Sequence, residues 1–545
     1  VKATYPLLAL WLDSADDTLL RKWMAEGRLP ALQEIFEKGV NATLHGPRYA
    51  LAEVVQTLVV TGCPPEQTHY WGIHSYDASA YDVRNGGVYD NARRKPFFAL
   101  GPVRRVAAID LPQYTKHAEV NGWQVRNWGT HAAMTPTDSS PPEAVGILDA
   151  AAGVPPIRTH TYTTLRDAED MKRMLADLHE GMEIRARMLE FLIKQGDWDL
   201  VLTPFAELHE GGHYFLPNAD SLEVLGKDDP WAPLLGLYVH LDSVVERLRR
   251  AAPDWNISVF SVEGLHHFSD EPHNTFLLPE LLLRDSFGGR GAFVFEDAGR
   301  GPSPEEQAGI QNWVMEAWHQ RRRVSPWQTR MRVRLGVRWS ALIEAKLGLA
   351  LHPEHPASVP HCDYQPAMWV RKYWPHMRAF ALPTFSDGFV RINVRGRERS
   401  GLIPPHRFAD ECDRIAAVLE DLRDPCSGRR AVREIHRARD HAFQPTGERP
   451  TADLVVQWNE PGPGNCLESS SLGRLGPVRS LRASIHRPIG FLGAAGPDVP
   501  TLGHIQDGSA LDIAPTLLAL IQADPPEQLP GRVLFGKTDA AMACR

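Results

Sequence analysis

The sequence predicts an α/β protein, a mostly parallel sheet sandwiched by helices. Three observations lead there. Short apolar runs of the buried-strand kind recur at Leu7 to Leu12, Asp199 to Leu202 and Ile257 to Phe260. Each alternates with an amphipathic stretch of helical period. Polar residues able to do chemistry, Asp13 after the first run and His209 after the second, stand just beyond the carboxyl ends of the strands, where such sheets collect ligands.

In chain order, Leu7 to Leu12 is a strand, Asp13-Ser14 a loop and Asp16 to Glu26 a helix. The spacing of Met171, Leu175, Leu178, Met182, Leu189 and Leu192 predicts a long helix ending near Gly196, ahead of the second strand. A further helix over Leu235 to Leu248 leads into the third strand. From Ser303 to Leu351 the chain turns helical and basic, with Trp313, Trp318, Trp327 and the run Arg321-Arg322-Arg323, read as a solvated face. Val390 to Val394 alternates like a half-exposed strand, and Asn459 to Asn465 reads as a loop. The expected organisation is a core over 1–302, a helical insertion over 303–365 and a second part of the core over 366–545.

The 545 residues, 43% apolar and 23% charged, suit a globular chain with ample core material. A net charge of -8 gives no electrostatic reason to expect nucleic acid or an anionic membrane as partner. No apolar run approaches the roughly 20 residues needed to span a bilayer, and no basic leader precedes one, so the expected location is cytoplasmic. The six cysteines lack C-x-x-C spacing and are expected as thiols.

The most suggestive stretch is DLVLTPFAELHEGGHYF. Its His209-Glu210-Gly211-Gly212-His213 fits H-E-x-x-H, which in zinc proteases sets two histidines on one helical face with the glutamate as base. Two adjacent glycines, each costing about 1 kcal/mol in a helix interior, argue against a sustained helix. The expectation is a strand running into a loop and one helical turn, where histidines at i and i+4 still converge on one cation. A protease would also need a third ligand on a following helix, and Pro217 interrupts the path to the candidate Glu223.

Four segments in order carry a wider resemblance. LLALWLDSADDTLLRKWMAEGRLPALQEIFEKG, VVQTLVVTGCPPEQTHYWG, the strand with H-x-x-x-H just quoted, and SIHRPIGFLGAAGPDV followed by SALDIAPTLLALI together resemble the type I phosphodiesterase/nucleotide pyrophosphatase branch of the alkaline phosphatase superfamily. The resemblance implies an alkaline phosphatase-like core and a small, anionic, phosphate-type substrate. It implies one or two divalent cations, zinc first, with manganese or iron as alternatives. One cation would take His209, His213 and His486, His209 standing where the family has Asp. The second would take Asp13.

The chain departs from the family at that second site. Where the family shows S-D-H-G, this chain has Ser261-Val262-Glu263-Gly264, and valine cannot ligate. The nucleophile position falls on Ala52, which offers no hydroxyl to attack. Either Asp13, Glu53 and Glu263 rebuild a carboxylate site, or Glu53 and Glu263 act as acid/base or ordinary loop residues. Glu53 and Glu210 are the candidate catalytic groups, and Arg395 or Arg397 of RINVRGRE the candidate anion clamps beside Asn393 and Glu398. His266, His267 and His273 are reserve ligands, and His69-Tyr70-Trp71 a pocket wall or core packing.

These residues imply a metal-dependent hydrolase or transferase using water or the substrate's own nucleophile. The alternatives are non-phosphoryl metal-assisted chemistry (lyase, group transfer or an oxidative step in a specialised pathway) and a non-catalytic relative. Sequence leaves the oligomeric state open.

Overall fold

A computed structural model describes residues 3–49, 53–86, 93–129, 136–158, 168–217, 229–266, 271–295, 317–322, 324–358, 365–385, 387–459, 465–478, 482 and 484–536. The expected β-loop-α opening is present as strand β1 (Leu7–Trp11) and helix α1 (Asp17–Ala25), whose first turn is capped by the Asp16 carboxylate accepting from the Leu19 amide at 2.9 Å. Helix α2 (Pro30–Lys38), strand β2 (Val40–His45) and helix α3 (Glu53–Thr61) follow. Then come β3 (Gly101–Ile109), β4 (Val120–Arg126), β5 (Asp138–Ser140) and α4 (Ala144–Ala152). The periodic stretch forms α5 (Ala168–Gln195), closed by Gly196 at φ 63. Strand β6 (Leu200–Pro204), helices α6 (Glu207–Phe215) and α7 (Ala232–Ala251), and strands β7 (Asn256–Ser261) and β8 (Gly264–His266) complete the first part.

In the central sheet β7, β1, β6, β3 and β4 run parallel in that spatial order. Strand β5 closes one side antiparallel. On the other, the late strand Ile489–Ala495 inserts antiparallel between β7 and β2. Side chains alternate between two cores: Leu8, Leu10, Ile257 and Val259 pack under α1, α2, α5 and α7. Leu7, Ala9, Trp11 and Phe260 pack under α3 and the helix Ile513–Leu520. The α/β class is therefore observed, with strands buried on both faces as a parallel sheet requires.

After β8 the chain leaves this sheet and builds a second apolar core around an antiparallel sheet. Its strands are β9 (Ala379–Leu382), β10 (Gly388–Ile392), β11 (Val432–Arg437) and β12 (Leu454–Trp458), in the order β9-β10-β12-β11. Helices α8 (Leu278–Ser286), α9 (Pro326–Lys346) and α10 (Phe408–Glu420) accompany it. Strand β10 is buried along its whole length rather than half-exposed. Its Arg391 is enclosed because Glu398 meets it at 2.8 Å and the Tyr76 ring lies 5.6 Å away, pairing that alternation alone does not reveal. The chain returns through β13 (Ile485–Arg487), which pairs antiparallel with β8 so that His486 stands opposite Leu265. Departure and return are thus stitched together at one point. The described cysteines, Cys63, Cys412, Cys426 and Cys466, are free thiols. No described helix is long and apolar enough to cross a membrane.

Candidate metal centre

The HEGGH stretch is helical throughout: α6 runs nine residues, every one buried, and ends at Phe215 ahead of Pro217. The expected loop with a single turn is corrected here, and the glycines explain why. A Cβ on Gly211 would lie 2.3 Å from Leu237 Cδ1, and one on Gly212 would lie 2.1 Å from Leu265 Cδ1. The glycines let α6 press against α7 and β8, and that packing outweighs their helix propensity. The helix start is fixed beneath by Glu207, bonded to the buried Arg185, which also holds Asp110 at 2.8 Å.

Helical spacing sets His209 and His213 on one face, with their Nε2 atoms 3.1 Å apart. His486 joins them from β13. The three ring centroids lie 4.7, 4.9 and 4.8 Å apart, edge to face. All three side chains are buried, and one nitrogen from each falls within 4.8 Å of the others.

The opposite nitrogens decide what these rings can do. His213 Nδ1 lies 3.0 Å from the Ser484 carbonyl, which only accepts, so the proton sits on Nδ1 and Nε2 keeps its lone pair. His486 Nδ1 lies 3.0 Å from Glu263 Oε1. His209 Nδ1 lies 3.4 Å from Asp13 Oδ2 and 3.3 Å from Ser14 Oγ. Every imidazole thus has an oxygen behind it, the arrangement that orients histidine ligands and raises their basicity.

Ser14 is the residue that sequence reasoning passed over. Its Oγ lies 3.3 Å from His209 Nδ1, His486 Nδ1 and Glu263 Oε1, and 3.4 Å from Asp13 Oδ1. A hydroxyl has one proton and two lone pairs, enough to accept from both rings and donate to one carboxylate. Ser14 reaches this position with φ 56, a left-handed backbone unusual for serine. The Asp13-Ser14 dipeptide after a buried strand was a visible signal. Its distant partners His209, Glu263 and His486, 195 to 472 residues away, were not.

Arg487 ties the late segment to the early one by an ion pair with Asp16 Oδ2 and a hydrogen bond donated to Thr18 Oγ1, both at 2.6 Å. Burial lowers the His213 imidazole well below its ordinary value, helped by the charges of Arg482, His209 and His486. Burial also disfavours charge on His209, but Asp13, with Glu210 and Glu263, outweighs it and leaves that imidazole raised. Arg482 meets Glu271 at 3.3 Å and lies within electrostatic range of Tyr214, Glu210 and His213.

Among the described residues, the three histidines are the group placed to hold a metal ion. Three imidazoles with anchored Nδ1 atoms fit zinc, iron or manganese better than calcium or magnesium, which prefer oxygen. Asp13 and Glu263 stand behind the rings. Ala52, His267 and Glu223, and the side chains of Glu53 and His266, lie outside the described residues. His273 is instead stacked on Trp458 at 4.7 Å. Arg397 is paired with Asp453 and Glu398 in the second unit, where Arg395 lies exposed on the turn after β10. Asn393 there holds the Trp374 and Met377 carbonyls.

No protein-family model matches the chain, and no curated protein does. Solved structures similar to it include the phosphonoacetate hydrolase of Sinorhizobium meliloti 1021 in complex with phosphonoformate. That likeness has 13% identity and TM-score 0.48, covering 96% of this chain and 99% of that one. Murine ectonucleotide pyrophosphatase/phosphodiesterase 5, an inactive form in complex with AMP, is 10% identical at TM-score 0.45, covering 96% of each chain. A mutant of the alkaline phosphatase PafA is 12% identical at TM-score 0.47, covering 98% of this chain and 99% of that one. These likenesses are at low identity, and the chemistry rests on this chain's own residues.

Proposed function

We propose that the protein is a metal-dependent hydrolase or transferase acting on a small anionic ester of the phosphate class. The observation that carries this reading is the convergence of His209, His213 and His486, each with its Nδ1 held by an oxygen. The phosphate class is supported by the four collinear segments of the sequence. When bound, a divalent cation supplies Lewis-acid stabilisation of charge developing on the reacting ester.

The chain's own residues do the remainder. Asp13, Ser14 and Glu263 fix the rings of His209 and His486, and Ser484 fixes that of His213. Glu210, buried and next in sequence to His209, is the proposed proton acceptor for an attacking water, with Glu53 as the alternative. Arg482, through its charge, favours an anionic group beside His213. With Ala52 at the nucleophile position, attack by water or by a hydroxyl of the substrate replaces a phospho-enzyme at that position.

Metal content and turnover test the proposal together. Purified protein is expected to hold about one equivalent of a transition metal, and to cleave at least one of an aryl phosphate, a phosphodiester or a phosphonate. Absence of metal defeats the reading. Stoichiometric metal with all these substrates inert, sulfates included, favours the second reading, non-phosphoryl chemistry, which Ala52 motivates.

A further inference from the structure

Helix α9 presents its side chains the wrong way round for a helix packed on a core. Its buried residues are Gln328, Ser340, Ala341 and Glu344. Facing solvent instead are Trp327 (50% exposed), Val333 (82%), Leu335 (42%), Val337 (49%) and Trp339 (65%). An ordinary amphipathic helix buries such residues, and a cluster of this kind left outside marks an interaction site.

The backbone gives the cluster its shape. Gly336, at φ 73 and ψ 171, breaks α9 into two helical pieces, so the run from Val333 to Trp339 forms a projecting corner. Arg334 and Arg338 are exposed on it, and Arg330 is exposed one turn before it. From Ala317 to Ile343 the sequence has seven arginines and no acidic residue, in a chain whose net charge is -8. The first acid beyond, Glu344, is buried and taken by Arg332 and by the Tyr373 hydroxyl, each at 2.6 Å.

We infer that this corner docks the protein on an anionic lipid surface. Val333, Leu335, Val337 and Trp339 enter the interfacial layer while the arginines meet lipid phosphates and their stems cover the apolar rim. Charge complementarity selects this occupant. A second copy seated symmetrically would bring the same arginines together with no exposed acid on the segment to neutralise them. The attachment is peripheral, since α9 is broken and charged. The general electrostatics of the chain gave no reason to expect a membrane; the concentration of charge on one projecting corner supplies it.

Co-sedimentation of the whole protein with phosphatidylcholine vesicles, with and without phosphatidylglycerol, tests this. Binding to the anionic vesicles is expected to exceed that to the neutral ones by at least about tenfold and to weaken with salt. Two double variants, Val333→Asp with Trp339→Ser and Arg334→Glu with Arg338→Glu, are each expected to lose at least about tenfold in binding while keeping the wild-type unfolding temperature. Equal binding to both vesicle types, no binding to either, or wild-type binding by both folded variants overturns the proposal. A dimer that the Trp339 variant abolishes, with no vesicle binding, overturns it in favour of a second copy.

Discussion

The Nε2 atoms of His209 and His213 lie 3.1 Å apart on a wholly buried helix, while the Ser484 carbonyl accepts a hydrogen bond from Nδ1 of His213. With its proton held on Nδ1, His213 turns the Nε2 lone pair toward His209 Nε2, and a cation lodged against both nitrogens is what such a pair can serve. His213→Ala and His486→Ala are accordingly expected to reduce bound metal from about one equivalent to under about a tenth, measured by elemental analysis of purified protein. Retention of full metal by both variants would place the ion elsewhere.

Ser14 joins the two rings that come from opposite ends of the chain. Ser14→Ala removes the shared hydroxyl, and metal affinity is expected to fall about 10- to 100-fold in a chelator competition. Ser14→Gly suits the left-handed backbone yet lacks the hydroxyl. It should therefore match Ala in metal affinity while unfolding at a higher temperature. Equal affinity in wild type and both variants would reduce Ser14 to a packing role.

Gly211 and Gly212 set how close α6 lies to Leu237 and Leu265. Alanine at either position is expected to destabilise the protein by about 1–3 kcal/mol through overpacking, despite better helix propensity. Denaturant midpoints report the change, and an increase at both positions would mean that the helix is not pressed against these neighbours.

Arg185 is buried between Asp110 and Glu207, directly under the start of α6. Arg185→Met leaves two buried carboxylates without their cation and is expected to cost about 3–5 kcal/mol, visible as a large fall in unfolding temperature. Restoring most of that stability by adding Glu207→Leu and Asp110→Asn would identify the stranded charges as the cause.

His273 is stacked against Trp458, and burial lowers its imidazole from 6.5 to about 3. The unfolded chain therefore takes up this proton first as the pH falls. Stability from the neutral ring is complete above pH 6.5 and is lost progressively down toward pH 3, to a total of roughly 3–5 kcal/mol. His273→Phe keeps a planar ring and is expected to flatten the pH dependence of the unfolding temperature between pH 6.5 and 4. An unchanged slope would assign the acid sensitivity to other groups such as His74, which burial lowers to about 4.

Much of the framework was legible because it is written locally. The apolar runs at Leu7, Leu200 and Ile257 announced buried parallel strands, and the periodic stretch ending at Gly196 announced a long helix, since burial on two faces or on one stripe leaves these patterns in sequence. The backbone of HEGGH was not legible. Propensity sees two glycines as a weakness, whereas the close approach of Leu237 and Leu265 makes them necessary. The exposure of Arg391 was misread for the same kind of reason, because its partners Glu398 and Tyr76 stand outside its own strand.

The sequence by itself determined the α/β alternation, the four-residue separation of His209 and His213, and the presence of Asp13, Glu263 and His486 as polar residues in apolar surroundings. Only the tertiary structure decided which nitrogen of each ring is held, that Ser14 joins two of them, and that Asp13 and Glu263 stand behind histidines. Those assignments depend on contacts across as many as 472 residues. They form when β13 pairs with β8 and α6 closes against α7, events that no local pattern records.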